Sequence, residues 1–182
     1  MAELLNKIPC EKCWELTAKA LIRLIVLQGD KIIASLLGRG EGVIAPVMGK
    51  EKWLEINEKV FGEGGKQLYP WLKEAFNISV EDATGAVNLV IVGEKLMGGG
   101  LIKHKLVTAT PERAVLKITE CPWWESYEEF EVQSELRACD PGHPIMIEEA
   151  FKIINPKISY KLTKALPRGD PYCEEVFEFN EE

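Results

Sequence analysis

The sequence predicts an α+β fold: a helical half over residues 1–99, then a β-hairpin, two helices and a second β-hairpin over residues 100–182. Three observations carry this expectation. Apolar residues recur at helical spacing through the first half. Two later stretches, 101–121 and 157–180, are rich in β-branched and aromatic residues and are each broken once by a turn. Between them, residues 122–155 return to helical patterning. The hairpins are expected to share one four-stranded antiparallel sheet, covered by helices on one face. At 182 residues the chain is expected to form a single domain, long enough to bury ~70% of the surface exposed when unfolded.

Each element has its own warrant. Residues 11–37 read as one or two amphipathic helices, with Leu16, Ala20, Leu24 and Leu27 at helical spacing and Gly29 as a break. "GRGEGVIAPVMGK" (38–50) reads as a connector. A helix over 51–61 presents Trp53, Leu54, Val60 and Phe61 as candidate buried positions, and the "GEGG" that follows is expected to end it. A short helix over 67–76 tolerates Pro70 in its first turn. Residues 79–98 read as a mostly buried helix capped by Ser79. Strands over 101–110 and 113–121 are joined at Pro111-Glu112. A helix follows over 122–139. "DPGHP" (140–144) is then expected to be a sharp loop, because two prolines and a glycine stand so close together. Pro144 opens the next helix, which runs to Asn155, and strands over 157–166 and 172–180 flank the turn "PRGDP".

Composition narrows the function. The net charge of −7, with no Lys/Arg run longer than two residues, argues against a nucleic-acid-binding face. The most apolar window, "ALIRLIVLQGDKIIASLLG", is cut by Arg23 and by Gln28-Gly29-Asp30-Lys31, so a buried helix is expected there rather than a membrane span. No basic region followed by an apolar stretch opens the sequence, so a cytoplasmic location is expected. Lys, Glu and Ile are plentiful and Gln is scarce, a thermophile-like balance. The glycine-rich "GRGEGVIAPVMGKE" fails as a phosphate loop, with Ile44 and Glu51 at critical positions, and fails the dinucleotide pattern at Val43. "CEKC" (Cys10, Cys13) has metal-ligand or redox spacing, but no strand precedes it and no second pair accompanies it. Ordinary thiols are the expectation.

The C-terminal cysteines form a stronger pattern. Cys121, Cys139 and Cys173 each stand at an element boundary beside proline, and can converge at one rim of the sheet. With His143 they would match a tetrahedral zinc site. A thiolate beside His143 and Asp140 or Asp170 would instead have the ingredients of a nucleophilic site. Singly, each cysteine reads as a small buried hydrophobe. Trp123, Trp124 and Tyr127 either pack the sheet against the helices or wall a ligand cavity. His104 shares a strand face with Ile102 and Leu106 and reads as a core histidine.

Taken together, "ITECPWW", "ACDPGHP" and "INPKISYKLTKALPRGDPYCEEVFEF" resemble the L-2-amino-thiazoline-4-carboxylic acid hydrolase family and the related 4-vinyl reductase type domains, over residues 100–180. The sequence departs from the hydrolases in having "CEEVF" where a Cys-Asp/Glu-Phe arrangement stands, and in entering "CDPGHP" without a longer loop. The resemblance implies a small-molecule pocket between the helices and the sheet rim. It also implies hydrolysis of a thiazoline-like or cyclic amide-like C–N bond, or plain ligand binding. For hydrolysis, Cys139 or Cys173 would be nucleophile or metal ligand, His143 the general base, and Asp140 or Asp170 its orienting partner. In a non-catalytic module the cysteines would hold zinc structurally. In a third reading they are core residues of a homodimer joined through its helical half.

Overall fold

The structure, a computed structural model, describes Ile22 and residues 50–98, 100–131 and 139–180. Along these residues run helix α1 (Lys50–Ala75), helix α2 (Ala83–Gly98), strands β1 (Lys103–Ala109) and β2 (Arg113–Glu120), helix α3 (Pro122–Glu129), helix α4 (Cys139–Ile154), strand β3 (Ile158–Lys164), a 3-10 turn (Leu166–Arg168) and strand β4 (Cys173–Phe179). The α+β class, the helix-first order and the two hairpins match the sequence expectation. Cys10, Cys13, most of the 11–37 helical segment and the 38–49 connector lie outside the described residues, as do the side chains of Trp53 and Leu54.

All four strands are antiparallel, in the order β1-β2-β4-β3. The second hairpin therefore docks its last strand against the first. Strand alternation decides which residues meet the helices. Ala114 and Leu116 of β2, Phe177 of β4, and Ile158 and Tyr160 of β3 join one core with Tyr69 and Leu72 of α1, Val87 and Val90 of α2, and Ile147 and Phe151 of α4. The opposite face pairs charges across strands, Lys117 with Glu174 and Arg113 with Glu178, each at 3.7 Å.

Two breaks expected from the sequence are absent. "GEGG" and Pro70 lie inside one continuous 26-residue helix. Gly62 and Gly65 are placed where α1 meets α4, and a Cβ on Gly65 would stand 2.0 Å from the Met146 carbonyl oxygen. The glycines thus allow two helix backbones to touch, and the packing they permit outweighs their weak helix propensity. Pro70 forfeits one backbone hydrogen bond within that long helix. Likewise "DPGHP" is not a loop. It forms the start of α4, with Pro141 in the first turn, where its missing N–H has no intrahelical partner to lose. Gly142 faces α1, where a Cβ would come within 2.5 Å of the Phe61 ring. Helix α2 starts four residues later than expected, and its cap is Asp82 rather than Ser79: the Gly85 N–H donates to Asp82 Oδ1 at 2.8 Å.

Candidate functional site

Glu94, Glu175 and His143 are carried inward by elements that are otherwise apolar on that side, and His104 joins them from an edge strand. Glu94 follows Val87 and Val90 at spacings of seven and four, so the helical period of α2 turns it inward with them. Glu175 shares the parity of Cys173 and Phe177 in β4, and is 1% exposed in the middle of a central strand. His143 lies one turn before Met146 and Ile147 on the buried side of α4. His104 sits on edge strand β1 opposite Ile118, with its side chain 8% exposed.

These groups meet. His143 Nε2 lies 3.1 Å from Glu175 Oε1 and 3.7 Å from Glu94 Oε1. One ligand atom from each of Glu94, His143 and Glu175 can be chosen so that all lie within 4.8 Å of one another. His104 Nε2 hydrogen-bonds the other oxygen of Glu94, Oε2. Four buried polar atoms among the described residues find no hydrogen-bond partner: His143 Nε2, Glu175 Oε2, and the hydroxyls of Tyr69 and Tyr160. Burial, and after it the proximity of Glu94 and Glu175, raises both tyrosine hydroxyls well above their usual range. Burial pushes the Glu94 carboxyl up to about 8. Burial and the nearby Glu94 charge hold Glu175 well above the carboxylate range. Burial also lowers both histidines to about 4. The cluster is therefore close to neutral at pH 7, with protonated acid and neutral imidazole side by side.

The cluster forms one wall of a cavity of about 210 Å³ between the helices and the sheet rim. Most of the remaining wall is apolar, from Phe61 of α1, Met97 of α2, Ile118 of β2 and Leu162 of β3. Trp123, Trp124 and Tyr127, expected either to pack or to wall a cavity, do line it, and Tyr127 also packs against Ile22 of the N-terminal region. Cys121, Cys139 and Cys173 line it too, with no disulfide among them. The structure thus brings the three cysteines and His143 to one cavity. It does not gather them into the expected tetrahedral set: among the described residues, no group of three donor side chains within 4.8 Å includes a thiol. His143 faces two carboxylates instead, because α4 turns it toward α2 and β4.

The aspartates are engaged elsewhere. Asp140 forms a two-pronged ion pair with Arg168, through Nε at 3.0 Å and a terminal guanidinium nitrogen at 2.7 Å. Asp170 accepts the Ala165 N–H at 2.9 Å, fixing the turn in which Gly169 adopts φ 88°. Burial pushes the Cys121 thiol up to about 12 and the Cys173 thiol up to about 11. Glu94 and Glu175 are the site residues that sequence reasoning does not single out. A signal exists in each case: an acid on the apolar stripe of a buried helix, and an acid at the inward parity of a strand.

No family model matches the chain, and no curated protein sequence does. Among solved structures, the chain is similar to a trafficking protein particle complex subunit 3 from Naegleria fowleri covalently bound to palmitic acid, at 13% identity over 94% of this chain and 98% of that one, with a TM-score of 0.49. It is also similar to the phenol-responsive sensory domain of the transcription activator PoxR with phenol, at 10% identity over 75% of this chain and 69% of that one, with a TM-score of 0.48. Likenesses at this level carry no argument about this chain.

Proposed function

We propose that the protein is a binding module for a small, mainly apolar molecule that carries one hydrogen-bonding head group. The observation behind this reading is the cavity itself. Its volume of about 210 Å³ suits a single ring with a short substituent, since a dry cavity of roughly 150 Å³ is enough to take up benzene. A wall of aromatic and aliphatic side chains with one convergent polar cluster is the usual make-up of a small-molecule site. Hydrolysis by a cysteine nucleophile, the other activity implied by the resemblance, fits less well. The thiol of Cys173, one of the two candidate nucleophiles, is held protonated by burial, and Asp140 and Asp170 are engaged by Arg168 and by the Ala165 N–H rather than by His143.

The test uses three probes that share a ring and differ at the head: toluene, benzyl alcohol and benzylamine. Trp123 and Trp124 line the cavity, so their fluorescence reports entry. Saturable quenching is expected, with at least one of the two polar probes binding about tenfold more tightly than toluene, the value of one satisfied buried hydrogen bond. Leu162→Trp, which fills the cavity, should abolish the response while leaving the circular dichroism spectrum intact. If none of the three probes gives a saturable change, the reading fails.

A further inference from the structure

We propose that Glu94, His143 and Glu175 form a site for one divalent cation of the zinc type, held in the cavity wall by two carboxylates and an imidazole, with His104 positioning Glu94. The inference does not depend on the organic-ligand reading, since it rests on the cluster and not on the size or apolarity of the cavity.

Geometry is the first argument. The three donors come from α2, α4 and β4, so the fold, and not a single flexible loop, sets their separation. Metal bonds of about 2.0–2.2 Å in a tetrahedral shell place neighbouring ligand atoms ~3.4 Å apart. The His143 Nε2 separations of 3.1 and 3.7 Å bracket that spacing.

Unmet hydrogen bonding is the second. Glu175 is 1% exposed with the Tyr160 hydroxyl and Glu94 as its polar neighbours, yet its Oε2 makes no well-formed hydrogen bond, and His143 Nε2, 3.1 Å from Oε1, makes none either. Buried polar atoms in folded proteins are nearly always satisfied, and several unsatisfied ones converging on one point call for a physical explanation, of which a bound ion is one. A hydrogen-bond donor could satisfy one of them. A dication satisfies the imidazole lone pair and both carboxylates together, and its charge balances the two carboxylates in a region where either alone is costly to ionise.

The third argument is the support around the donors. Metal-binding carboxylates are commonly held by a further hydrogen bond, and His104 supplies one to the oxygen of Glu94 that points away from His143. Two carboxylates and an imidazole suit zinc, manganese or iron better than calcium or magnesium, which favour all-oxygen sites. All three donors line the cavity. Three protein ligands with a remaining position turned toward a cavity is the arrangement of an open metal site.

Cobalt(II) titration of the full chain, dialysed free of metal, tests the proposal, because cobalt reports its own ligands. The expected result is binding of one cobalt per chain with visible d–d absorption and without the intense near-ultraviolet band of thiolate-to-cobalt charge transfer. Zinc should displace the cobalt and raise the melting temperature of the metal-free protein. Glu175→Gln and His143→Ala should each weaken binding at least tenfold, while Cys121→Ser and Cys173→Ser leave it within about twofold. Should those two ligand variants fail to fold, Glu94→Gln and the outer variant His104→Ala give the same readout, with His104→Ala weakening binding about tenfold or more. Absence of stoichiometric cobalt and zinc binding by the unmodified chain overturns the proposal. So does a thiolate charge-transfer band that disappears in the serine variants, since that would move the ion to the cysteines.

Discussion

Cys121 stands at the N-terminus of α3, where a helix dipole ordinarily favours thiolate, yet burial holds its thiol near 12. Burial outweighs the dipole here because the helix is short and the sulfur faces an apolar wall. The sign of the consequence is clear: a raised thiol pKa leaves only ~10⁻⁴ of the thiolate form at pH 8. Iodoacetamide labelling of the native protein, mapped by mass spectrometry, should therefore modify Cys121 at least 100-fold more slowly than a cysteine in a short peptide. The rate should climb about tenfold per pH unit between 7 and 9. Rapid labelling at pH 7 would show a stabilised thiolate and restore a cysteine-centred mechanism. The same residue illustrates what a sequence can and cannot disclose. Its place at an element boundary follows from a proline and a change of period. Its protonation does not, because that depends on how completely distant elements enclose it.

Two of the helix boundaries that depart from the sequence expectation, at "GEGG" and at "DPGHP", do so for one physical reason. Local propensity treats glycine and proline as breaks, whereas their positions here are set by the packing of α1 on α4. This gives adjacent glycines opposite roles. Gly65 sits against the Met146 carbonyl, so Gly65→Ala would place a methyl group 2.0 Å from a backbone oxygen that cannot rotate away. A loss of ~3 kcal/mol is expected, at the upper end of overpacking effects. Gly64, its neighbour on the same helix, is exposed, and a Cβ there would meet nothing within 4 Å. Gly64→Ala should instead stabilise by about 0.5–1 kcal/mol, the entropic gain of alanine in a helix interior. Urea denaturation of the two variants beside the unmodified chain checks both signs. Equal effects would mean that α1 and α4 do not approach as described. The strands, by contrast, are legible throughout: β-branched and aromatic runs and the short turns between them are local properties. The pairing of β2 with β4 is not local, and it is that pairing which brings Cys173 and Glu175 beside Ile118 and Leu116.

Across the whole molecule, the polar cluster is a place where stability has been given up. Glu175 continues an inward-facing row that crosses the sheet from Leu116 through position 175 to Leu162, and leucine there would complete it. An ionisable group at that position loses solvation, carries an unpartnered oxygen and faces a second acid, Glu94. Replacing buried ionic groups with apolar residues of similar volume is often stabilising by about 1–4 kcal/mol. Glu175→Leu is therefore expected to stabilise the metal-free chain by ~2 kcal/mol, a rise of several degrees in melting temperature for a domain of this length. The same substitution removes one of the three proposed metal ligands, so added zinc should raise the melting temperature of the unmodified chain and leave that of the variant unchanged. Thermal melts of both proteins, with chelator and with zinc, give four numbers and a definite pattern. A variant less stable than the metal-free parent would show that the acid contributes to the fold through its own hydrogen bonds, and the cluster would then be structural. The expected pattern, a variant that is more stable without metal and indifferent to it, would identify Glu175 as a residue kept for what it binds.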